Sequence, residues 1–309
     1  MSAEALTSHC GGRAHRKDHV ARPSFMRAHH QLARLLVACA CTATASGALV
    51  QAAWHVEHLG GNPAARPAAA LAEGDAVIVI PDMATDAESA ALCEGAASQA
   101  ALHRAERLAA GLDDSGLVRV PSRKAAARAS ITSTPCAPPL SEEADAILQR
   151  LLTRAISFAD TELQLASSGL FARAAAIHPL YEADELVFSS REPSVNVYTA
   201  GGQFLAHKDH QALTILIPLS SPDNSFTGGG TAFWSQDSRG HRVEEPTLEL
   251  RPAAGTCLMF GGYTTHQGMP VISGERCVLV VSFSRKHEEG LERRAAEAQQ
   301  SRDIYGDVL

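Results

Sequence analysis

The seven cysteines of this chain never fall in a CxxC pair, which removes the usual spacing of a zinc knuckle or a dithiol redox motif. They are odd in number and scattered, so they do not read as the framework of a disulfide-stapled domain. Cys39 and Cys41 lie in an apolar run, and Cys257 and Cys277 lie in expected strands; buried thiols are the simpler reading. A Cys257–Cys277 bridge stays open if their strands prove to be neighbours. An excess of positive charge is also missing. The formal net charge is −7, so no electrostatic footprint for nucleic acid is present. No Asn-x-Ser/Thr sequon occurs, which withholds support from a glycosylated form without excluding secretion. Acidic residues are absent from His19 through Val56, where Arg22, Arg27 and Arg34 punctuate the chain. The run Leu35–Val50 that follows is apolar or small, close to the lower limit of about 17–25 residues for a bilayer span. A basic flank, a short apolar segment and Ala45-Ser46-Gly47-Ala48 have the make-up of a targeting segment. A signal peptide, a signal anchor and an organellar transit peptide all fit residues 1–55, directing the chain to the secretory pathway and endoplasmic reticulum or to an organelle. A disordered, alanine-rich extension is the alternative.

The 309 residues allow one sizeable catalytic domain plus extensions, or two small domains. Half of the fourteen histidines precede residue 60: His9, His15, His19, His29, His30, His55 and His58. Their spacing is irregular and no acidic or thiol partners are organised around them, so they read as solvated residues of the extension. Gly60–Ala72, with Pro63 and Pro67, reads as a linker. The expected organisation is an extension and linker over 1–70, a catalytic domain over 71–287 with its core at 186–285, and a C-terminal tail over 288–309, helix-prone from Glu288 to Gln300.

Within the folded part, Ala76–Ile80 reads as a short strand ending at Pro81. Thr85 or Asp86 can cap a helix running through alanine-rich sequence to Gly111. Leu117–Val120 is another candidate strand, and Ser141-Glu142-Glu143-Ala144 opens a second helix past Leu152 and Ile156. After Glu185 the texture changes to short β-rich runs separated by Gly, Pro, Asn and Asp: Leu186–Ser189, Ser194–Thr199, Leu213–Leu219, Thr231–Trp234, Thr247–Arg251, Thr256–Phe260 and Arg276–Ser284. The expected fold is mainly β with flanking α-helices, built on a double-sheet jelly-roll core.

His207-x-Asp209, the distant His266 and then Arg276 form the informative constellation. Residues i and i+2 of an extended segment point to one side, so His207 and Asp209 can address one ion. His266 follows Thr256–Phe260 and Gly261-Gly262-Tyr263, a setting suited to a ligand at a strand end. Two imidazoles and one carboxylate on one face of a metal leave the opposite positions open, as a non-haem Fe(II) oxygenase needs. His-x-Asp alone is also compatible with a surface turn. His210 has the opposite parity and reads as a structural or substrate-side residue. Arg276 opens the alternating strand Arg276–Phe283 and shares a face with Val278 and Val280, plausible wall residues. A guanidinium there is costly unless it meets an anion or an internal salt bridge. Tyr198 ends Ser194–Thr199 just before Gly201-Gly202, where its hydroxyl can donate to a carboxylate, although a core aromatic would look the same.

These residues resemble a known family. Asn196-Val197-Tyr198, Gly201-Gly202-Gln203-Phe204, His207-Lys208-Asp209, Gly228-Gly229-Gly230-Thr231-Ala232-Phe233, Gly255-Thr256 to Phe260, His266-Gln267-Gly268, Pro270-Val271 and Gly274-Glu275-Arg276 are similar to the Fe(II)/2-oxoglutarate dioxygenases, and within them to the prolyl 4-hydroxylase-like branch. The resemblance covers 186–285 strongly and 71–185 loosely. It implies that His207, Asp209 and His266 bind iron, and that Arg276 and Tyr198 hold the distal carboxylate of 2-oxoglutarate. It further implies O2 as oxidant, ascorbate as a helper and a peptide or protein substrate, hydroxylated at proline by preference, with another peptide residue or a small metabolite as the alternative. Many collagen-type members carry lysine where this chain has Arg276, which weakens the substrate assignment but not the activity class. A non-catalytic jelly-roll binding protein should lack a ligand or the arginine, and this chain lacks neither. A tetrahedral zinc hydrolase would have no use for Arg276.

Overall fold

The computed structural model describes residues 53–61, 63–129, 137–168, 170–171, 175–237 and 241–286. The targeting segment up to residue 52 and the helix-prone tail from Glu288 lie outside them. In chain order the elements are β1 (His55–His58), α1 (Pro67–Glu73), β2 (Ala76–Ile80), α2 (Asp86–Ala109), β3 (Leu117–Pro121), α3 (Arg123–Ala129), α4 (Glu142–Thr161), α5 (His178–Glu182), β4 (Leu186–Phe188), β5 (Ser194–Tyr198), β6 (Phe204–His207), β7 (Leu213–Pro218), β8 (Phe226–Gly228), β9 (Thr231–Trp234), β10 (Leu248–Leu250), β11 (Cys257–Gly261), β12 (Thr265–Gly268), β13 (Val271–Gly274) and β14 (Arg276–Arg285).

The strands form a mainly antiparallel β fold of the expected jelly-roll kind. The major sheet has the order β1-β2-β11-β7-β14-β5-β3, with β4 also paired to β14. The minor sheet has the order β10-β9-β12-β6, and β13-β8 form a separate ribbon. Apart from β1 and β2, neighbours in the major sheet come from distant parts of the chain, so burial of strand side chains, not hairpin turns, holds it. Strands β2, β5, β7 and β11 are buried at every position, as strands covered on both faces must be.

The two long helices begin where the sequence says they should. Thr85 accepts the amide of Glu88 and Glu88 reaches back to the amide of Thr85, a complete capping box for α2. Ser141 caps α4 through the amide of Ala144. Arg154 on α4 donates through both Nη atoms to the Glu88 carboxylate, at 3.0 Å each, and ties the helices together. Helix α2 packs on α4 and on β3, β5 and β14, burying Leu92, Ala96 and Ala100. The helices are therefore a buttress for the major sheet.

Two expectations are corrected. Gly60–Ala72 is not simply a linker: Pro67 opens α1, where its missing N–H costs nothing, and Leu71 is fully buried, worth about 2 kcal/mol. His55 and His58 are not tail residues but belong to β1, which pairs along β2. The pattern is too short, at four residues, to declare itself as a strand. The Cys257–Cys277 bridge does not form. Strand β7 lies between β11 and β14, and both thiols are free, as is Cys93.

Candidate metal centre

The chain enters the site along β6, which ends at His207. Asp209 lies on the loop beyond it rather than on one extended segment with His207. The two side chains nevertheless converge, with His207 Nε2 3.3 Å from Asp209 Oδ1. His266 arrives on β12, directly opposite His207 in the register of β12 with β6. Opposed residues on one face of an antiparallel pair come close, and the two imidazole centroids are 4.3 Å apart. His266 Nε2 lies 3.6 Å from Asp209 Oδ2. The ligand atoms of all three residues fall within 4.8 Å of one another.

Both imidazoles are held in the tautomer a metal requires. His207 Nδ1 is 2.7 Å from the carbonyl of Leu205 and His266 Nδ1 is 3.2 Å from that of Thr264. A carbonyl only accepts, so each Nδ1 carries a proton, which leaves Nε2 as the ring atom turned to the cluster. Aromatic rings fix the orientation. Phe204 lies against His207, and Phe260 and Phe233 against His266, at centroid distances of 4.4, 4.6 and 6.3 Å. Burial lowers the pKa of His266 to about 4, outweighing the attraction of Asp209, so the ring is neutral at physiological pH. Burial pushes the Asp209 carboxyl the other way, but the two imidazoles and the Thr214 hydroxyl prevail and hold it well below the usual carboxylate range. The site thus offers a neutral imidazole at His266 and an anionic oxygen at Asp209.

Backbone contacts lock the Asp209 loop to the turn that delivers His266. The amide of His210 donates to the carbonyl of Gly262 at 2.9 Å. A Cβ on Gly262 would meet the Gln211 carbonyl oxygen at 1.9 Å, so only glycine permits this approach. His210 has a φ of 56° and its ring meets the edge of Tyr263, 6.0 Å away. It is no member of the ligand cluster.

Arg276 and Tyr198 sit directly opposite each other on β14 and β5. Both are buried, each 3% exposed. The guanidinium carbon lies 5.1 Å from the centroid of the Tyr198 ring. Arg276 Nη2 donates to Thr231 Oγ1 at 3.2 Å, while Nη1 is buried with no partner. No carboxylate among the described residues pairs with Arg276, so the internal salt bridge is not found. Burial works against such a cation, and an anion is the group that would offset its cost. Asn196 donates from Nδ2 to the Tyr198 hydroxyl at 3.2 Å, which leaves the hydroxyl proton free to point elsewhere. Val278 and Val280 follow Arg276 on the same face.

A sequence-family model described as the 2OG-Fe(II) oxygenase superfamily matches residues 193–284, a stretch that contains Tyr198, His207, Asp209, His266 and Arg276. Residues 193–284 are a 2OG-Fe(II) oxygenase domain. It is the domain of a 2-oxoglutarate-dependent dioxygenase. The chemistry of the site fits that domain: a His-Asp-His cluster for one ion and an unmet buried cation for a carboxylate. Solved structures similar to the chain include three prolyl hydroxylases. One is the viral collagen prolyl hydroxylase of Paramecium Bursaria Chlorella virus-1, at 16% identity and a TM-score of 0.38, covering 67% of this chain and 94% of that one. Another is the prolyl hydroxylase of Trichoplax adhaerens in complex with a hypoxia inducible factor peptide, at 14% identity and a TM-score of 0.41, covering 75% and 90%. The third is a Pseudomonas putida prolyl-4-hydroxylase, at 14% identity and a TM-score of 0.37, covering 71% and 98%. No curated protein matches the chain.

Sequence reasoning gave no role to Thr214, Thr231 or Asn196, all buried and all within hydrogen-bond reach of the site residues. Thr214 and Asn196 sit in runs of β-formers, where threonine and asparagine carry no mark of function. Only the pairing of strands reveals them.

Proposed function

We propose that this dioxygenase hydroxylates a C–H bond of a peptidyl proline. In this reading His207, Asp209 and His266 hold Fe(II), and Arg276 with Tyr198 holds the distal carboxylate of 2-oxoglutarate. The observation that carries the reading is the conjunction of a three-ligand cluster with a buried arginine whose Nη1 has no partner. When bound, Fe(II), 2-oxoglutarate and O2 supply oxidative decarboxylation to succinate and CO2, coupled to hydroxylation of the substrate. The protein binds, orients and excludes water. Arg276 supplies a directional cation, Tyr198 a hydroxyl, and Phe204, Phe233 and Phe260 an apolar wall around the imidazoles. Ascorbate is proposed as the reductant that maintains the ferrous state.

A peptide is preferred to an enclosed small molecule because two large side chains close to the ligands in sequence stand in solvent: Leu205, two residues before His207, is 51% exposed, and Tyr263, three before His266, is 49% exposed. An extended apolar segment such as a proline-rich strand suits such side chains. The test is anaerobic loading with Fe(II) and 2-oxoglutarate, followed by O2. Succinate is measured with and without proline-rich peptides, and hydroxylated proline is sought by mass spectrometry. Succinate stimulated by peptide, with an added oxygen on proline, is expected. Stimulation by small metabolites and not by peptides would overturn the substrate assignment.

A further inference from the structure

We propose that Thr214 is a positioning residue that reserves one oxygen of Asp209 and thereby keeps the carboxylate bound to the metal through the other oxygen alone. The inference rests on the metal reading above.

Thr214 is fully buried on β7, opposite Phe260 of β11 and Ser282 of β14. Its Oγ1 lies 2.5 Å from Asp209 Oδ2. An ionised carboxylate only accepts, so the hydroxyl donates, and a short O–H···O⁻ contact of this kind is among the stronger hydrogen bonds. The other oxygen, Oδ1, lies 3.3 Å from His207 Nε2. The two oxygens are therefore unequal before any ion arrives. Each oxygen has an imidazole beside it, Oδ1 that of His207 at 3.3 Å and Oδ2 that of His266 at 3.6 Å, but Oδ2 alone also accepts a hydroxyl proton.

The asymmetry matters because a carboxylate can bind a cation through one oxygen or two. On an octahedral ion, three single-atom protein ligands leave three positions open. A chelating 2-oxo acid uses two of them and O2 needs the third. A two-oxygen Asp209 would take a fourth position and leave cosubstrate and O2 competing. The hydroxyl works against this by engaging one lone pair of Oδ2 and drawing that oxygen towards β7. Threonine suits the task, since its branched Cβ restricts the rotamer that aims Oγ1. The strands flanking β7 hold its backbone on both sides.

The test compares wild type with Thr214→Val, which keeps the shape and loses the donor, and Thr214→Ser, which keeps the donor. Mn(II) binding is measured by equilibrium dialysis. 2-Oxoglutarate binding to the Mn(II)-loaded protein is measured by calorimetry, and the visible charge-transfer absorption of the anaerobic Fe(II)–2-oxoglutarate complex is recorded. Thr214→Val is expected to keep or tighten Mn(II) binding and to weaken 2-oxoglutarate binding about tenfold, with a displaced charge-transfer band. Thr214→Ser is expected to restore both. Unchanged 2-oxoglutarate affinity in Thr214→Val overturns the proposal. So does parallel loss of Mn(II) and 2-oxoglutarate, which would make Thr214 a builder of the pocket, and so does a serine variant that behaves like valine. If valine does not fold, as read by thermal melting, Thr214→Ala removes the same donor. Wild type that binds no Mn(II) would instead sink the metal reading itself.

Discussion

Arg276 lies over the ring of Tyr198 and directly across the β14–β5 pairing from it, so a single register fixes a cation and a hydroxyl side by side. A slip of one residue would turn one of the two to the opposite face and part them. In the proposed reading, the pairing therefore sets the cosubstrate end of the site as firmly as any side-chain contact.

The first prediction follows from the unmet charge. Arg276→Met removes a buried guanidinium that has one hydrogen bond and no counter-ion. Without 2-oxoglutarate, the variant should be as stable as wild type or more stable by about 1–3 kcal/mol. Calorimetric 2-oxoglutarate affinity should fall about 100-fold or more, while Tyr198→Phe should cost only about tenfold. Added 2-oxoglutarate should raise the melting temperature of wild type and not of Arg276→Met.

Asp209→Ala should lose the metal and with it all turnover. Equilibrium dialysis with Mn(II) reads the first effect and succinate formation the second. Full turnover in the variant would contradict the ligand assignment.

Gly262→Ala should loosen the metal centre from outside it. The new methyl has to push away the Gln211 backbone, which carries the Asp209 loop. A loss of about 2 kcal/mol or more in stability is expected, together with weaker Mn(II) binding. Thermal melts with and without Mn(II) separate the two contributions.

The Glu88–Arg154 pair sets an acid limit. Hydrogen bonds from Arg154 lower the Glu88 pKa from 4.5 to about 2. A depressed carboxylate stabilises the fold above its unfolded pKa and loses that contribution as pH falls through its folded pKa. Solvent on the open side screens the pair, with side chains 16% and 31% exposed, so about 1–2 kcal/mol is expected at neutral pH. The stability gap between wild type and Glu88→Gln, measured by urea unfolding, should be flat above pH 5 and should close between about pH 4.5 and 2.

Much of this was legible in the sequence because the signals were chemical. Thr85 and Ser141 announce helix starts by their hydroxyls, and β5, β7, β11 and β14 announce themselves by runs rich in β-formers between turn residues. Arg276 was visible because an arginine on an apolar stripe demands an explanation. The unread parts were those whose meaning lies in pairing. Strands β6, β8, β12 and β13 are three or four residues long, too short for periodicity to speak. Two of them nonetheless carry His207 and His266. The loop placement of Asp209 was missed because i, i+2 spacing cannot tell a strand from a turn that returns its side chain to the same point. Thr214 and Thr231 gained meaning only when distant strands met.

Strand β1 has a practical consequence for anyone trimming this chain. A fragment begun at residue 71 would leave the outer rim of β2 bare, a row of open amides and carbonyls along the wholly apolar stretch Ala76–Ile80. Such a rim recruits other copies of itself. The short cover His55–His58, with Glu57 at its centre, guards against that stickiness, and fragments that keep it should stay dispersed where shorter ones clump.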